Sequence, residues 1–252
     1  MDQLQVFAQP RHSVVSGDGL VAYAVTGGGR LLRIDVTSGT STELAPDPPF
    51  LGAAYRGIPP ATTIAAAGSV MSLAGSGLSR TRQLTFCGQP VPFQIQTVNL
   101  ELVQFQVPWD APEGPCQVVV QNDSPFEHGL NLEVRKLDPQ FVGYPTAFLE
   151  HQGFAGPVTE GSPTHPGETI VAYMTGLGPV GASGQLTMPG FACRFDGVPG
   201  TVSYAGLAPG YTGFYQVNVP VPELSPRLIS LACGWDVEAL SSFTTVWVGT
   251  TQ

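Results

Sequence analysis

Ala67-Gly68-Ser69-Val70-Met71-Ser72-Leu73-Ala74-Gly75-Ser76-Gly77-Leu78 decides the fold, because it returns. About one hundred residues later the chain reads Pro166-Gly167-Glu168-Thr169-Ile170-Val171-Ala172-Tyr173-Met174-Thr175-Gly176-Leu177. Each copy is followed by a second echo, first Phe105-Gln106-Val107-Pro108 and then Tyr215-Gln216-Val217-Asn218. A repeat of this length, built from short strand-like runs, predicts two similar domains rather than a solenoid of small units.

Composition sets the class. Charged residues make up 12% of the chain, against about 25% in average globular domains, while 31 Gly and 24 Pro interrupt it at short intervals. Hydrophobic residues, at 42%, fall in alternating runs that can bury one face, so a packed all-β core is expected. The net charge of -9, with Lys136 as the single lysine, leaves no basic patch for a phosphate backbone. Nucleic acid and anionic membranes are therefore poor partners. No apolar stretch approaches the roughly 20 residues that span a bilayer, and Met1-Asp2-Gln3-Leu4-Gln5-Val6 lacks the basic and apolar regions of a signal peptide. The reading is the tail of a longer exported chain.

Residues 1–50 read as a segment resembling one β-propeller blade, with Leu20-Val21-Ala22-Tyr23-Ala24-Val25 and Leu31-Leu32-Arg33-Ile34-Asp35-Val36 joined by a turn at Gly27-Gly28-Gly29. Its unpaired strand edges make self-association through this segment an expectation. The first sandwich then covers 55–136, with strands near 70–74, 82–87, 91–96, 101–107, 116–121 and 130–135. A connector over 137–165 carries the strand-like Thr146-Ala147-Phe148-Leu149, and the second sandwich covers 166–252, ending in the alternating Phe243-Thr244-Thr245-Val246-Trp247-Val248. Short strands with turns every eight to twelve residues predict two tandem immunoglobulin-like β-sandwiches, with a β-barrel as the second choice.

Four cysteines divide two and two between the repeats, and none forms the close pairs that zinc prefers. Cys87 with Cys116 and Cys193 with Cys233 are read as one disulfide in each domain, four buried thiols being the alternative. Disulfides place the protein outside the reducing cytoplasm, extracellular or at the cell surface.

The second repeat resembles a known family. Pro166-Gly167-Glu168, Tyr173-Met174-Thr175-Gly176-Leu177-Gly178-Pro179-Val180, Tyr204-Ala205-Gly206-Leu207-Ala208-Pro209-Gly210 and Tyr215-Gln216-Val217-Asn218-Val219-Pro220 stand in the order and spacing of the C-terminal repeat domain abundant in Solibacter and other Acidobacteria. The resemblance covers about residues 55–249 and is weaker in the first half. It implies a repeat domain at the end of large secreted bacterial proteins, often after propellers, with no established activity and no catalytic residues to carry over.

Candidate chemistry is sparse. Ala74-Gly75-Ser76-Gly77-Leu78 misses the G-x-S-x-G pattern of a nucleophile elbow, and its counterpart Met174-Thr175-Gly176 has threonine in place of serine. Gly27-Gly28-Gly29 has no following Lys-Ser/Thr to make a phosphate cradle. Asp110, Glu113, Asp123 and Glu127 crowd two loops of the first domain, where carboxylates suit glycoside hydrolysis or, as the better choice, calcium; the spacing separates neither from ordinary surface charge. His151 and His165 in the connector are further metal candidates, with Glu150, Glu160 or Glu168 nearby. Calcium is the one cofactor these residues suggest.

Phe105 and Tyr215 lie in alternating strands and belong to the core, whereas Tyr211, Trp235 and Trp109 sit near turns as candidate binding aromatics for a glycan or another extracellular protein. The leading functional reading is a non-catalytic extracellular interaction module of a larger secreted protein. The alternative is a small secreted hydrolase of esters, lactones or glycans, with or without a metal, its site in the connector or the sandwich-end loops.

Overall fold

The computed structural model describes residues 10–26, 31–45, 48–56, 58–96, 101–143, 146–236 and 240–250. The turn read at Gly27-Gly28-Gly29 and the N-terminal Met1-Asp2-Gln3-Leu4-Gln5-Val6 lie outside these residues. Two 3-10 turns, Leu78–Arg80 and Gln152–Phe154, are the helical segments among the described residues, and the rest of the regular structure is β. The fold is an N-terminal β-sheet followed by two tandem immunoglobulin-like sandwiches.

The N-terminal sheet is an antiparallel meander of β1 (Pro10–Val15), β2 (Val21–Thr26), β3 (Leu31–Asp35) and β4 (Ser41–Ala45), in that order across the sheet. Asp18 and Asp35 shape its turns: Asp18 Oδ1 accepts from Ser16 Oγ and from the Leu20 N–H, and Asp35 Oδ1 accepts from the N–H groups of Thr37 and Ser38. Such side-chain acceptance of turn N–H groups is what makes Asp favourable in turns. Val14, Leu20, Val36 and Leu44 are exposed apolar residues of this sheet.

The first sandwich is built from β5 (Phe50–Arg56), β6 (Ile58–Ala61), β7 (Ile64–Ala66), β8 (Val70–Ser76), β9 (Gln83–Phe86), β10 (Gln89–Pro90), β11 (Phe93–Gln96), β12 (Leu102–Gln106), β13 (Gly114–Gln121) and β14 (Glu127–Arg135). They form two five-stranded sheets, ordered β10-β9-β13-β14-β7 and β11-β12-β8-β5-β6. The six strands expected within 70–135 are all present; β5, β6 and β7, rich in Gly, Pro and Ala, and the two-residue β10 were not anticipated. Alternation explains the burial along β13, where Cys116, Val118 and Val120 are buried and Gln117 and Gln121 are exposed.

The second sandwich contains β15 (Gln140–Phe141), β16 (Leu149–Glu150), β17 (Thr169–Thr175), β18 (Ala192–Phe195), β19 (Val198–Gly200), β20 (Tyr204–Leu207), β21 (Tyr215–Pro220), β22 (Arg227–Asp236) and β23 (Leu240–Val248). One sheet runs β15-β17-β21-β20, with β16 also on β17; the other runs β19-β18-β22-β23. Ile170, Met174, Leu177, Phe195, Tyr215, Val217, Leu231 and Val246 form the buried core, as expected for Tyr215. The Tyr215 hydroxyl donates to the Gly178 carbonyl at 2.5 Å, satisfying the polar end of a fully buried ring.

The two sandwiches share a hairpin that extends the repeat. Phe86-Cys87-Gly88-Gln89-Pro90 joins β9 to β10 and Phe195-Asp196-Gly197-Val198-Pro199 joins β18 to β19. In each turn both central residues have positive φ, at 51° and 76° in the first and 47° and 84° in the second. That is the two-residue turn whose twist matches paired strands, and a glycine in its second place removes half of the conformational cost.

By internal contacts the chain divides into two compact units. One comprises residues 1–53, 73–103 and 117–130, and the other residues 54–72, 104–116 and 131–252. Leu51, Leu73, Leu84, Phe86, Val103, Val118 and Val120 are buried in the first unit; Met71, Phe105, Val107, Leu132 and Val134 join the second-sandwich core residues as buried residues of the second.

Candidate functional site

One cleft in the second unit begins with β17. Ile170, Ala172 and Met174 alternate into the core, which leaves Tyr173 directed to the outer face of the sheet. On one side β17 pairs with β21, placing Tyr173 opposite Gln216. On the other side the connector docks twice: Phe141 pairs with Met174, and Leu149 pairs with Ala172.

Between these two contacts the connector leaves the edge at Val142, whose N–H donates to the Tyr173 carbonyl, and returns at Phe148, whose N–H donates to Val142. Gly143 permits this loop. Its φ is 139°, and a Cβ there would lie 2.3 Å from the Thr146 carbonyl oxygen, so no side chain fits. The returning Phe148 ring stacks on Tyr173, with centroids 5.8 Å apart and planes 28° apart.

A second loop, between β20 and β21, brings up the opposite wall. It is closed by the Ala208 N–H donating to Phe214 O and the Tyr211 N–H donating to Ala208 O. Tyr211 and Phe214 meet edge to face, with centroids 6.5 Å apart. The resulting cleft, of about 810 Å³, has Phe148, Tyr173, Tyr211 and Phe214 in its lining together with Glu150, Thr146 and Thr159. Glu150 Oε2 accepts the Tyr173 hydroxyl at 2.8 Å. Burial foremost, with that hydrogen bond and the Glu150 charge behind it, pushes the Tyr173 phenol up to about 12.

Tyr211 also lines a neighbouring cleft of about 750 Å³, walled by Trp109, Gln106, Pro179, Val180 and the 207–213 loop. Trp109 is held by a glycine: at Gly68, with φ at 76°, a Cβ would sit 2.2 Å from the indole ring. Gln106 Nε2 donates to the Gly68 carbonyl at 2.9 Å and braces the same turn.

The structure thus brings Tyr211 and Trp109, expected from the sequence as binding aromatics, onto one cleft. Trp235 is a correction. On β22 it follows Ile229, Leu231 and Cys233 at alternate positions, so the period of the strand turns it inward, where it packs half-buried on the core and meets Phe191 edge to face at 5.2 Å. Phe148 and Tyr173 were not singled out as site residues, and Glu150 was read only as a metal neighbour of His151 and His165. The signal available for Tyr173 was its place between two core residues of an alternating strand.

The acidic and histidine candidates hold other partners. Arg82 pairs with Asp123 through two hydrogen bonds, and Glu113 Oε1 accepts the Lys136 N–H at 3.2 Å. Asp110 and Glu127 are exposed, and His165 Nδ1 faces the Thr250 carbonyl at 2.5 Å. Among the described residues no three His, Cys, Asp or Glu side chains gather as a metal set.

His151 instead closes a polar cluster beside the first cleft. Its Nδ1 lies 2.6 Å from Glu168 Oε1, and its Nε2 lies 3.1 Å from both the carbonyl and the Oγ of Ser162. Serine, imidazole and carboxylate stand here in the order of a charge relay. Facing the Glu168 carboxylate, Nδ1 is the donor, so in the neutral ring Nε2 accepts the Ser162 Oγ–H, and the imidazole ties the 159–162 turn to Glu168. Desolvation raises the Glu168 carboxyl, but hydrogen bonds from His151, Thr164 and the His165 N–H outweigh it and hold the group below its ordinary value.

Each sandwich is bridged. Cys193 and Cys233, direct cross-strand partners on β18 and β22, form a disulfide; Cys87 and Cys116 are also disulfide-bonded, and no cysteine is free.

No protein-family model matches the chain, and no curated protein matches it. Solved structures do. SGBP-B of the Bacteroides ovatus mixed-linkage glucan utilization locus, in complex with a mixed-linkage heptasaccharide, is 13% identical with a TM-score of 0.46, over 94% of this chain and 54% of that one. The surface glycan-binding protein PbSGBP-B from Prevotella bryantii is 12% identical with a TM-score of 0.30, over 81% and 42%. The tandem Ig repeats of Dlar are 13% identical with a TM-score of 0.23, over 75% and 94%. The chain spans about half the length of the first of these and about two fifths of the second.

Proposed function

We propose that this protein is a non-catalytic extracellular module of a larger exported bacterial protein, and that it binds a neutral glycan in the cleft over β17. The observation that carries this reading is the lining itself: Phe148, Tyr173, Tyr211 and Phe214 around one opening, with the Glu150 carboxylate hydrogen-bonded to Tyr173. A pyranose ring offers a face of C–H groups and an edge of hydroxyls. Aromatic faces take the first by apolar contact, and a carboxylate and a phenol take the second by hydrogen bonding. The net charge of -9 supports a neutral ligand over a uronate or sulfated one. Four cysteines, none of them free, support an oxidising location.

The test is titration calorimetry and affinity electrophoresis against soluble neutral and anionic polysaccharides. The expected result is retention by neutral polymers, lost in Tyr173→Ala. Equal behaviour of wild type and Tyr173→Ala on every polymer would discard the reading.

A further inference from the structure

We infer that the second cleft is a subsite of the same binding surface, so that the ligand is a linear, uncharged oligosaccharide chain running from the β17 cleft past Tyr211 to Trp109. This rests on the glycan-binding reading above and specifies its ligand. Tyr211 lines both clefts and is 65% exposed, so its ring is a partition reached from either side rather than the closed end of a pocket. Beyond it stands a second aromatic platform, Trp109, 42% exposed. The close seat of that ring on Gly68 fixes its orientation and lowers the entropy lost on stacking a ligand.

The polar complement is also of the right kind. Gln106 commits its amide N–H to Gly68, which leaves the amide oxygen as the acceptor for a hydroxyl. Among the described residues lining the two clefts, Glu150 alone is charged. A surface whose described lining has one carboxylate and no cation offers nothing to pair with an anionic polymer, and each of the two clefts presents aromatic side chains. A single monosaccharide would leave Trp109 unused.

The experiment is calorimetry of the full chain with β-1,4-linked gluco- and xylo-oligosaccharides of increasing length, from disaccharide through tetrasaccharide to hexasaccharide. Affinity is expected to rise by about tenfold or more between the disaccharide and the hexasaccharide. Trp109→Ala is expected to remove that gain while leaving disaccharide affinity in place. Since Trp109→Ala also unpacks Gly68, Pro209→Arg, at an exposed position lining the second cleft, serves as the independent variant with the same expectation. Binding that does not grow with length, or that keeps its growth in both variants, overturns the second subsite while leaving the β17 cleft standing. Absence of binding at every length removes the linear-chain ligand, while the β17 reading stands or falls on the polysaccharide panel above.

Discussion

At the scale of single residues, Tyr173 shows how position on a strand becomes chemistry. Its neighbours Ala172 and Met174 point into the core, so the phenol is turned outward into a cleft where burial and Glu150 both disfavour ionisation. The phenol, raised to about 12, therefore stays a hydrogen-bond donor across the physiological range. The sign follows from the shift: the neutral form is favoured in the folded protein, so the contribution is complete below the ordinary tyrosine range and is lost as pH rises through the folded value. In a spectrophotometric titration, the difference between wild type and Tyr173→Phe should be a single phenolate step near 12, moving down towards the ordinary value in Glu150→Gln. A difference step already complete at the ordinary tyrosine value in wild type would contradict the Glu150 contact. Cys87 and Asp196 make a related point, since both adopt positive φ before a glycine. The Phe-x-Gly-x-Pro echo they belong to stands in the sequence, yet one residue of difference inside each turn hides it among the other Gly and Pro.

At the scale of elements, the connector is where reading and structure part. Its strand-like character was visible at Thr146-Ala147-Phe148-Leu149, but β15 and β16 are each two residues long and exist only because β17 offers an edge. So short a strand has no pattern of its own, and register comes from its partner. The His151–Glu168 clamp holds the same segment. Because the Glu168 carboxyl lies below its ordinary value, its stabilising contribution is present above the ordinary glutamate range and is lost as pH falls through the folded value. Urea unfolding of Glu168→Gln should therefore show a lower midpoint than wild type at neutral pH, with the gap closing in acid. A gap constant from neutral to acid would refute the clamp. His151→Gln should loosen the 159–162 turn, seen as faster amide exchange at Ser162, while leaving the core amides of β21 protected.

At the scale of the whole molecule, stability depends on bridges as well as on cores. Cys193 and Cys233 are 40 residues apart in sequence and adjacent in the sheet. Closing a loop of that size restricts the unfolded chain enough to contribute about 3–4 kcal/mol in the chain-entropy account. The double replacement Cys193→Ser/Cys233→Ser should lower unfolding stability by about that amount, measured by urea denaturation; a loss near zero would mean that the cross-strand pairing of β18 and β22 already supplies the constraint.

The sequence by itself determined that this is an all-β protein with two related sandwiches, because alternation along a strand and the conformational demands of turn residues are local properties written at periods of two and at Gly and Pro. It also determined that Phe105 and Tyr215 are core residues. Only the tertiary structure decided the site. Phe148, Tyr173 and Tyr211 come from the connector, β17 and the loop after β20, and the contacts that join them are edge pairings and ring stacking between segments far apart in the chain. No local period encodes those contacts, and the same physics turned Trp235 inward while it left Tyr211 and Trp109 facing solvent.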